Sequence, residues 1–585
     1  MKNIKSLLIV ALLGSSFTSC NDFLNLEPLN DIVLENFWTD KSDVESVLLG
    51  AYSALEKSDC LLRMSVWGEM RSDNIVEGNG TSDDIRQICR ENLLHTNAYC
   101  KYNAFYDVIN RANTVLYFAP QVFAKDPNYS YDDLMNNKAE AITLRCLSYW
   151  YLIRTFLEVP YVTEPSIDDE GGHMKFYVPQ SPFELVLDSL ISDLEYILKE
   201  NMSINKYPKA DENVSRINKT AVCALLADMY LWRGRPDDWQ KCIDVCEAVT
   251  TIKKAEYAKL KSRQGTNCTI KLFNGYPLIC DAPEDVPGNS YNEIFGTGGS
   301  FESLFELPYN NDVKNPFVSD YYQNNQSNNV GRIKAYEKIG ADFSSSKGNS
   351  VFEQPQDIRY YEDVYDRGSQ SFAITKYAYD KLVMRFSSGT IEVDPSKKST
   401  FRNQTQASWI IYRYSEVLLF EAEAYIMQAK AIAPAGEDSL AQVAVLKEKK
   451  DMAFQLIDAV NSRSINADNI NSVPTTLTML IKYTSSTSVG DLETLLFKER
   501  RRELMFEGKR WFDLVRMARR DGHQENLLSF VEKKYDSATL SAVKIKLKNP
   551  YAMYFPLAKD EVRNSQGVLH QNPAYKDDEK IEQAH

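Results

Sequence analysis

Apolar residues recur at helical spacing in two parts of the chain, and this pattern predicts a helix-rich protein. From Asp40 onward, Val44, Leu48, Ala51 and Leu55 fall at positions i, i+4, i+7 and i+11 of one helix face. The same kind of pattern predicts further helices at about 102–117, 137–157, 182–199, 218–233, 237–250, 411–430, 444–463 and 491–520. Consecutive pairs of such helices are typical of helical-hairpin repeats, and a plain packed bundle is the alternative.

The pattern changes between the two helical parts. Gly, Asn, Ser, Pro and Tyr dominate residues 263–405, which predicts turns and long loops with a few short strands. We therefore expect a helical scaffold built from residues 20–262 and 406–585, with a loop-rich, ligand-binding lobe at 263–405. Ordered loops on a rigid scaffold are where binding residues tend to lie.

The first twenty residues have the layout of a bacterial lipoprotein signal. Lys2 and Lys5 precede an apolar run at residues 7–13, and small residues then lead to Cys20. The apolar run is shorter than the roughly 20 residues needed to span a bilayer. We expect residues 1–19 to be removed and Cys20 to carry a lipid, which places the protein outside the cytoplasm. A signal anchor that stays attached is the alternative.

Composition and charge narrow the range of partners. Hydrophobic residues make up 44% and charged residues 25% of the chain, which is ordinary for a folded globular protein. The net charge of −14 becomes −16 when the signal with Lys2 and Lys5 is removed. An acidic surface disfavours nucleic acid and anionic lipid as partners.

The cysteines predict neither a metal site nor a disulfide framework. Nine remain besides Cys20, with no CxxC pair, and the five histidines are scattered. Buried free thiols are the favoured interpretation, with one or two bridges as the alternative.

No motif indicates an enzyme. The chain contains no P-loop, no HExxH and no GxSxG elbow, and the glycine-rich turn at 296–299 lacks the spacing of a phosphate cradle. We therefore expect no catalytic residues, no metal and no cofactor.

Tyrosines stand among amide and acidic residues in the predicted loops. A ring face can stack on the apolar face of a sugar, while amides and carboxylates bind its hydroxyls. The predicted stacking residues are Tyr309, Tyr321 and Tyr322. The predicted polar partners, from the loop at 74–86, are Asn74, Asn79, Asp83 and Arg86. For each residue, an ordinary loop position packed against the scaffold is the alternative.

The last predicted helix carries a dense run of charges. At 100° per residue, Glu499, Glu503 and Arg510 share one face, while Leu504 and Trp511 share another. A catalytic carboxylate–arginine cluster would have this composition. We interpret the run instead as a salt-bridged structural face between packed helices.

Taken together, these segments resemble the SusD/RagB family of Bacteroidetes outer-membrane lipoproteins. The resemblance covers nearly the whole chain and depends on the order and spacing of several motifs. These are Cys20, NFWTD at 36–40, GAY at 50–52, RSDN at 71–74, INRAN at 109–113, AEA at 139–141, YRYSEVLL at 412–419, EAEA at 421–424, the helix at 499–514, YFPL at 554–557 and QNPAY at 571–575.

The resemblance implies a mainly α fold, in which about four tetratricopeptide-like helix pairs support a loop-rich lobe. It implies a non-catalytic protein on the outside of the outer membrane that captures an oligosaccharide and passes it to a SusC-like TonB-dependent transporter. Capture of a peptide, or a structural lid with little ligand affinity, are the alternatives. The motifs matched here belong to the scaffold, so the resemblance identifies no ligand-binding residue.

Overall fold

The computed structural model describes most of the chain from residue 37 to residue 576. The described residues are 37–166, 177–209, 211–280, 289–310, 312–322, 331–337, 339, 351–353, 357–366, 372–382, 384–387, 390–393, 400–401, 406–432, 440–465 and 483–576. The predicted signal and Cys20 lie outside them, so lipidation stays a prediction.

Long helices occupy both parts of the chain in which they were predicted. They are α1 (Lys41–Glu56), α2 (Ser58–Glu69), α3 (Asn103–Phe123), α4 (Tyr131–Phe156), α5 (Phe183–Lys199), α6 (Lys219–Arg233), α7 (Pro236–Gln264), α8 (Tyr414–Ile432), α9 (Leu440–Ser464), α10 (Val489–Leu504), α11 (Arg510–Asp521) and α12 (Ser537–Leu547). Shorter helices span Asp83–Cys89, Glu212–Ser215, Asn289–Tyr291, Pro316–Tyr321, Ile358–Asp363, Glu525–Val531 and Lys559–Asn564.

The long helices pack in sequence as antiparallel pairs. Helix α1 packs on α3, α4 on α5, α6 on α7, and α8 on α9. Successive pairs also contact one another, α3 with α4, α5 with α6, and α7 with α8. Each pair thus buries its apolar face against its neighbour, as in a helical-repeat protein. This confirms the predicted mainly α, tetratricopeptide-like scaffold with four helix pairs.

Local sequence signals explain where these helices begin and what they bury. Asp40 caps α1 by accepting a hydrogen bond from the Ser42 backbone N–H. The face predicted from spacing, Val44, Leu48, Ala51 and Leu55, is fully buried. Helix α6 likewise begins after the cap Asn218 and ends at Gly234 in the left-handed conformation.

Short strands form antiparallel pairs between and beside the helices. The pairs are β1 (Ile75–Glu77) with β7 (Ile333–Ala335), β2 (Val159–Pro160) with β3 (Gln180–Ser181), β4 (Ile270–Phe273) with β5 (Tyr276–Ile279), β6 (Ser303–Leu307) with β14 (Trp409–Arg413), β8 (Val364–Asp366) with β9 (Phe372–Ile374), β10 (Tyr379–Lys381) with β13 (Thr400–Phe401), and β11 (Met384–Ser387) with β12 (Thr390–Val393). Most lie within 263–405, the part of the chain predicted to be loop-rich with a few short strands. The predicted domain boundaries themselves stay predictions.

The prediction of one long helix at 491–520 is wrong. The segment forms two helices, α10 and α11, with a break at residues 505–509. Within the break, Phe506 has φ 63° and Gly508 has φ 71°, which lie in the left-handed region that a continuous helix cannot contain. The break also brings the backbone of Gly508 against Gly68 of α2. A β-carbon on Gly68 would lie 1.7 Å from the Gly508 carbonyl oxygen.

A buried ion-pair network replaces the single charged helix face that the sequence suggested. Glu503, 1% exposed at its side chain, accepts hydrogen bonds from Arg413 and Arg463 and from Arg359 Nη1 (2.8 Å). Burial alone would raise the pKa of Glu503, but the three guanidinium groups outweigh it and hold the pKa well below its ordinary value. The network joins α10 to β14, to α9 and to the loop-rich lobe, so its role is structural, as predicted.

Other charges of α10 extend this network, whereas Arg510 does not join it. Glu499 pairs with Arg359 (2.6 Å) and Arg502 (2.8 Å), both buried. Because the helix ends at Leu504, Arg510 leaves the face of Glu499 and Glu503 and pairs with Asp73 instead (2.9 Å).

The C-terminal tail closes onto the N-terminal helices. Arg71, which follows α2, donates hydrogen bonds to the carbonyl oxygens of Ala552 and Met553, both at 2.7 Å. Its guanidinium group stacks 4.1 Å above the Trp511 ring. The Phe555 N–H donates to the Thr155 carbonyl of α4 at 2.8 Å. Residues from the two ends of the chain thus complete one core.

The described cysteines are buried free thiols. None of the nine is bridged, which confirms the favoured interpretation of the cysteine count. Burial raises the pKa of the Cys89 thiol to about 12, so it stays protonated near neutral pH. Among the described helices, none combines the length and apolar character that a membrane crossing requires.

Two acids of the EAEA motif on α8 have opposite surroundings. Glu421 is 1% exposed, and its Oε2 atom has no hydrogen-bond partner among the described residues. Burial raises the pKa of Glu421 to about 8, with Glu247 adding to the rise and Lys254 opposing it. Glu423, in contrast, pairs with Arg516 at 2.7 Å.

We expect Glu421→Gln to stabilise the protein increasingly as the pH rises. In the unfolded chain the carboxyl ionises near its ordinary pKa of 4.5, but in the folded chain only near 8, so the native protein loses stability between these values. Glutamine does not titrate, and its advantage should reach on the order of 4 kcal/mol by about pH 8. Urea unfolding followed by circular dichroism at about pH 5 and pH 8 measures it.

The neighbouring variant Glu423→Gln is the matched control for this experiment. It breaks the ion pair with Arg516, so it should destabilise the protein at both pH values. An effect of Glu421→Gln that is the same at both pH values would contradict the raised pKa.

Candidate functional site

The strand pair β1–β7 joins the two loops in which binding residues were predicted. Ile75 pairs with Ala335 and Glu77 with Ile333, in antiparallel register. The ladder continues past the strands, where the Asn79 N–H donates to the Gly331 carbonyl at 2.8 Å. The loop at 79–86 is thereby fixed beside Gly331 and Arg332, although about 250 residues of chain separate them.

Glycine allows the close backbone approach at this junction. Gly331 has φ 85°, and a β-carbon there would lie 2.3 Å from the carbonyl oxygens of Tyr321 and Tyr322. A β-carbon on Gly78 would lie 2.4 Å from the Gly331 carbonyl oxygen. The backbone of Gly331 therefore packs against Tyr321 and Tyr322 on one side and against Gly78, at the start of the 79–86 loop, on the other.

The three tyrosines predicted to stack on a ligand are buried in this structure. Tyr309 is 6% exposed and donates to the Glu56 carbonyl (3.0 Å). Tyr322 is fully buried and donates to the Phe506 carbonyl (2.6 Å). Tyr321 is 3% exposed, with its ring stacked on Phe317 at 4.7 Å between centroids. All three pack against the scaffold, and their contact with a sugar stays a prediction.

Asn74 is also part of the scaffold rather than of the surface. It is fully buried, donates to Glu69 (2.9 Å) and accepts a hydrogen bond from Arg501 (2.8 Å). Both ends of its amide are therefore occupied in this structure, and its contact with a ligand stays a prediction.

Asn79, Asp83 and Arg86 lie on the surface, where they were predicted to be. Asn79 and Asp83 are exposed, and Arg86 is partly exposed. Arg86 forms a close ion pair with Asp83, donates to the Thr81 carbonyl (3.1 Å) and lies 3.5 Å from Glu77. The structure pairs Arg86 with Asp83, and contact of all three side chains with a ligand stays a prediction.

Three further residues of this surface were missed. Arg332 pairs with Asp320 (3.2 Å), both half-exposed, and its guanidinium lies 5.7 Å from the Tyr321 ring centre. The Tyr99 hydroxyl lies 2.8 Å from that of Tyr321. No motif points to them. The β1–β7 pairing brings Asp320 and Arg332 beside the 79–86 loop, whereas Tyr99 is near it because Asn97 donates to the Asp84 carbonyl (2.9 Å).

The side chains of this surface offer hydrogen-bond donors and acceptors. Burial, together with the Tyr321 hydroxyl, raises the pKa of Tyr99 well above its ordinary value, so the phenol stays neutral and can both donate and accept. Within the part of the chain that the structure describes, no group of His, Cys, Asp or Glu side chains could hold a metal ion. Amide, carboxylate and guanidinium groups at this surface suit a ligand rich in hydroxyls.

Known proteins of similar sequence cover nearly all of the chain. SusD-like protein P38 of Formosa agariphila is 25% identical over 525 residues, which span 88% of this chain and 91% of that protein. SusD-like protein P2 of the same organism is 22% identical over 537 residues, spanning 88% and 91%.

Solved structures share the fold. A SusD superfamily protein from Bacteroides vulgatus superposes with a TM-score of 0.62 at 16% identity, covering 92% of this chain and 100% of that one. Surface glycan-binding protein A from Bacteroides thetaiotaomicron, solved in complex with laminarihexaose, superposes with a TM-score of 0.58 at 15% identity, covering 91% and 100%.

Two family profiles match the chain. One, described as "Starch-binding associating with outer membrane", matches residues 22–231. The other is that of the SusD family and matches residues 282–575, about half of the chain. Together with the helical-repeat scaffold, this match shows that the chain belongs to the SusD family.

Proposed function

We propose that this protein is a non-catalytic, glycan-binding lipoprotein of the outer membrane, exposed on the cell surface. It captures an oligosaccharide and delivers it to a SusC-like TonB-dependent transporter. Membership of the SusD family is the observation that carries the proposal. The profile described as starch-binding and associating with the outer membrane, and the laminarihexaose complex of a protein with the same fold, support it.

We assign glycan contact to the surface at the β1–β7 junction. Its exposed groups are Asn79, Asp83, Arg86, Asp320 and Arg332, which supply donors and acceptors for sugar hydroxyls. The β1–β7 ladder and the glycine crossing hold the 79–86 loop against Gly331 and Arg332. Binding therefore needs little ordering of these residues, which lowers its entropic cost.

A polysaccharide screen with paired variants tests this proposal. The soluble form that begins after Cys20 is first run in affinity gels containing starch, laminarin and other polysaccharides, and the best ligand is then measured by calorimetry. We expect Asp83→Ala/Arg86→Ala to weaken binding by about tenfold, because two or three hydrogen bonds of roughly 0.5–1.5 kcal/mol are lost.

The exposed pair Asp560–Arg563 provides the matched control. It has the same i,i+3 spacing and a 3.0 Å ion pair, but it lies near the C-terminus. Asp560→Ala/Arg563→Ala should leave the affinity unchanged. Binding of peptide pools and of no polysaccharide would favour peptide capture instead, and release of hydrolysis products would show an enzyme.

A further inference from the structure

A cleft with several cationic side chains in its walls is lined by Arg501 and Arg510, the two partners of Asp73. It has a volume of about 290 Å³ and lies between α10, α11 and the helix Glu525–Val531. Five cationic side chains line it, from Lys498, Arg501, Arg510, Arg520 and Lys533, against the acids Glu353 and Glu493. Its volume is near the lower limit of small-molecule sites.

Within the described residues, four of the five cations of the cleft pair with acids, and the fifth, Lys533, does not. Glu353 pairs with Lys498 (2.6 Å). Arg520 pairs with Asp521 (3.0 Å) and with Glu493 (2.7 Å), which also pairs with Lys430. Lys533 is exposed and has no acidic partner among the described residues.

One carboxylate serves two guanidinium groups at the inner end of the cleft. Asp73 accepts from Arg510 Nε (2.9 Å) and Nη2 (3.2 Å), and it also pairs with Arg501 Nη1 (3.0 Å). Burial lowers the pKa of Arg501 to about 10, with Arg510 adding to the fall and Asp73 opposing it. A second anion near this pair would therefore stabilise both cations.

Arg510 has a hydrogen-bond donor to spare. Its side chain is 3% exposed, and Nη1 has no partner among the described residues. Nε and Nη2 donate to Asp73, and the guanidinium carbon lies 4.9 Å from the centre of the Phe530 ring, which lines the cleft. Buried donors without a partner are uncommon and costly in folded proteins.

The remaining walls are apolar and suit a sugar ring. Phe497, Met517 and Phe530 line the cleft beside the cations. Aromatic faces pack on the apolar face of a sugar, and guanidinium groups bind carboxylate or sulfate with paired hydrogen bonds. A peptide would find no strand edge to pair with, because the lining named here comes from helices and their adjoining turns.

We infer that this cleft binds an acidic sugar unit, one that carries a carboxylate or a sulfate group. The inference rests on the proposed glycan-binding function and adds the chemical class of ligand and a second binding surface. It predicts that the protein prefers acidic over neutral polysaccharides.

The test compares acidic and neutral glycans with a charge-reversal variant at the mouth of the cleft. The probes are polygalacturonate, hyaluronan and heparin, with starch and laminarin as the neutral set, measured by calorimetry on the soluble form. At least one acidic probe should bind, and Lys533→Glu should weaken it by about tenfold. Binding should also weaken as salt is added, because salt screens the attraction between the acidic sugar and the cations of the cleft.

The matched control is Lys199→Glu, at an exposed lysine on α5, which should leave the affinity unchanged.

The outcomes separate this inference from the proposed function. Binding of neutral glycans alone would overturn the acidic-sugar inference and leave the proposed function standing. Binding of an acidic glycan that Lys533→Glu does not weaken would overturn the assignment to this cleft. If poly-glutamate binds and no glycan does, both the inference and the proposed function fail.

Discussion

Replacing Glu503 with Gln is expected to lower the free energy of unfolding by about 3–5 kcal/mol. The side chain is 1% exposed and bonded to Arg359, Arg413 and Arg463. Glutamine keeps the shape of the side chain but removes its negative charge, and its amide N–H₂ would face the N–H donors of the arginines. The three buried guanidinium groups would then lack the carboxylate that neutralises them. Urea unfolding at neutral pH measures the loss as a lower midpoint.

Glu525→Gln is the matched control, because Glu525 is exposed in the short helix Glu525–Val531. Substitutions at such surface positions usually change stability by less than about 0.5 kcal/mol. A Glu503 variant as stable as this control would refute the structural role of the network.

Replacing Gly68 with Ala is expected to destabilise the protein by about 3 kcal/mol, although Gly68 lies within a helix. By helix propensity alone, the change from Gly to Ala would stabilise by about 1 kcal/mol. The added methyl group would, however, lie 1.7 Å from the carbonyl oxygen and 2.4 Å from the carbonyl carbon of Gly508. Because backbone atoms of two packed elements meet there, the clash can be removed only if α2 moves away from the start of α11. Thermal unfolding followed by circular dichroism measures the effect.

Gly490 in α10 offers the same substitution in open space, with its nearest contact 3.9 Å away at Ser488 Oγ. Gly490→Ala should be neutral or slightly stabilising. If Gly68→Ala behaved like Gly490→Ala, the close approach of α2 to Gly508 would be wrong.

Helical periodicity was enough to predict the scaffold. The face of Val44, Leu48, Ala51 and Leu55 is buried as expected, because one amphipathic pattern can be satisfied by packing on any apolar neighbour. The sequence did not predict the break at 505–509, because phenylalanine rarely adopts the left-handed conformation that Phe506 has here. Its conformation is imposed by packing of the segment against α2.

The candidate site was predictable only in part. The local polar sequence was enough to predict surface positions for Asn79, Asp83 and Arg86, and the structure places them at the surface. Tyr321 and Tyr322 stand in an equally polar sequence, yet their rings are buried, because composition cannot show which way a ring turns. The position of Arg332 depends on strand pairing between distant segments, and that of Tyr99 depends on side-chain hydrogen bonds to Asp84 and Tyr321, neither of which a single sequence specifies.

The closure of the C-terminal tail onto the N-terminal helices has a consequence for folding kinetics. Arg71 finds its carbonyl partners only at residues 552 and 553, and Thr155 receives its hydrogen bond from Phe555. Contacts between residues this far apart along a chain must close very long loops, and proteins rich in them fold slowly. A nascent chain that still lacks its last residues therefore leaves α2 and α4 without these partners. The protein should reach its native state only after synthesis is complete.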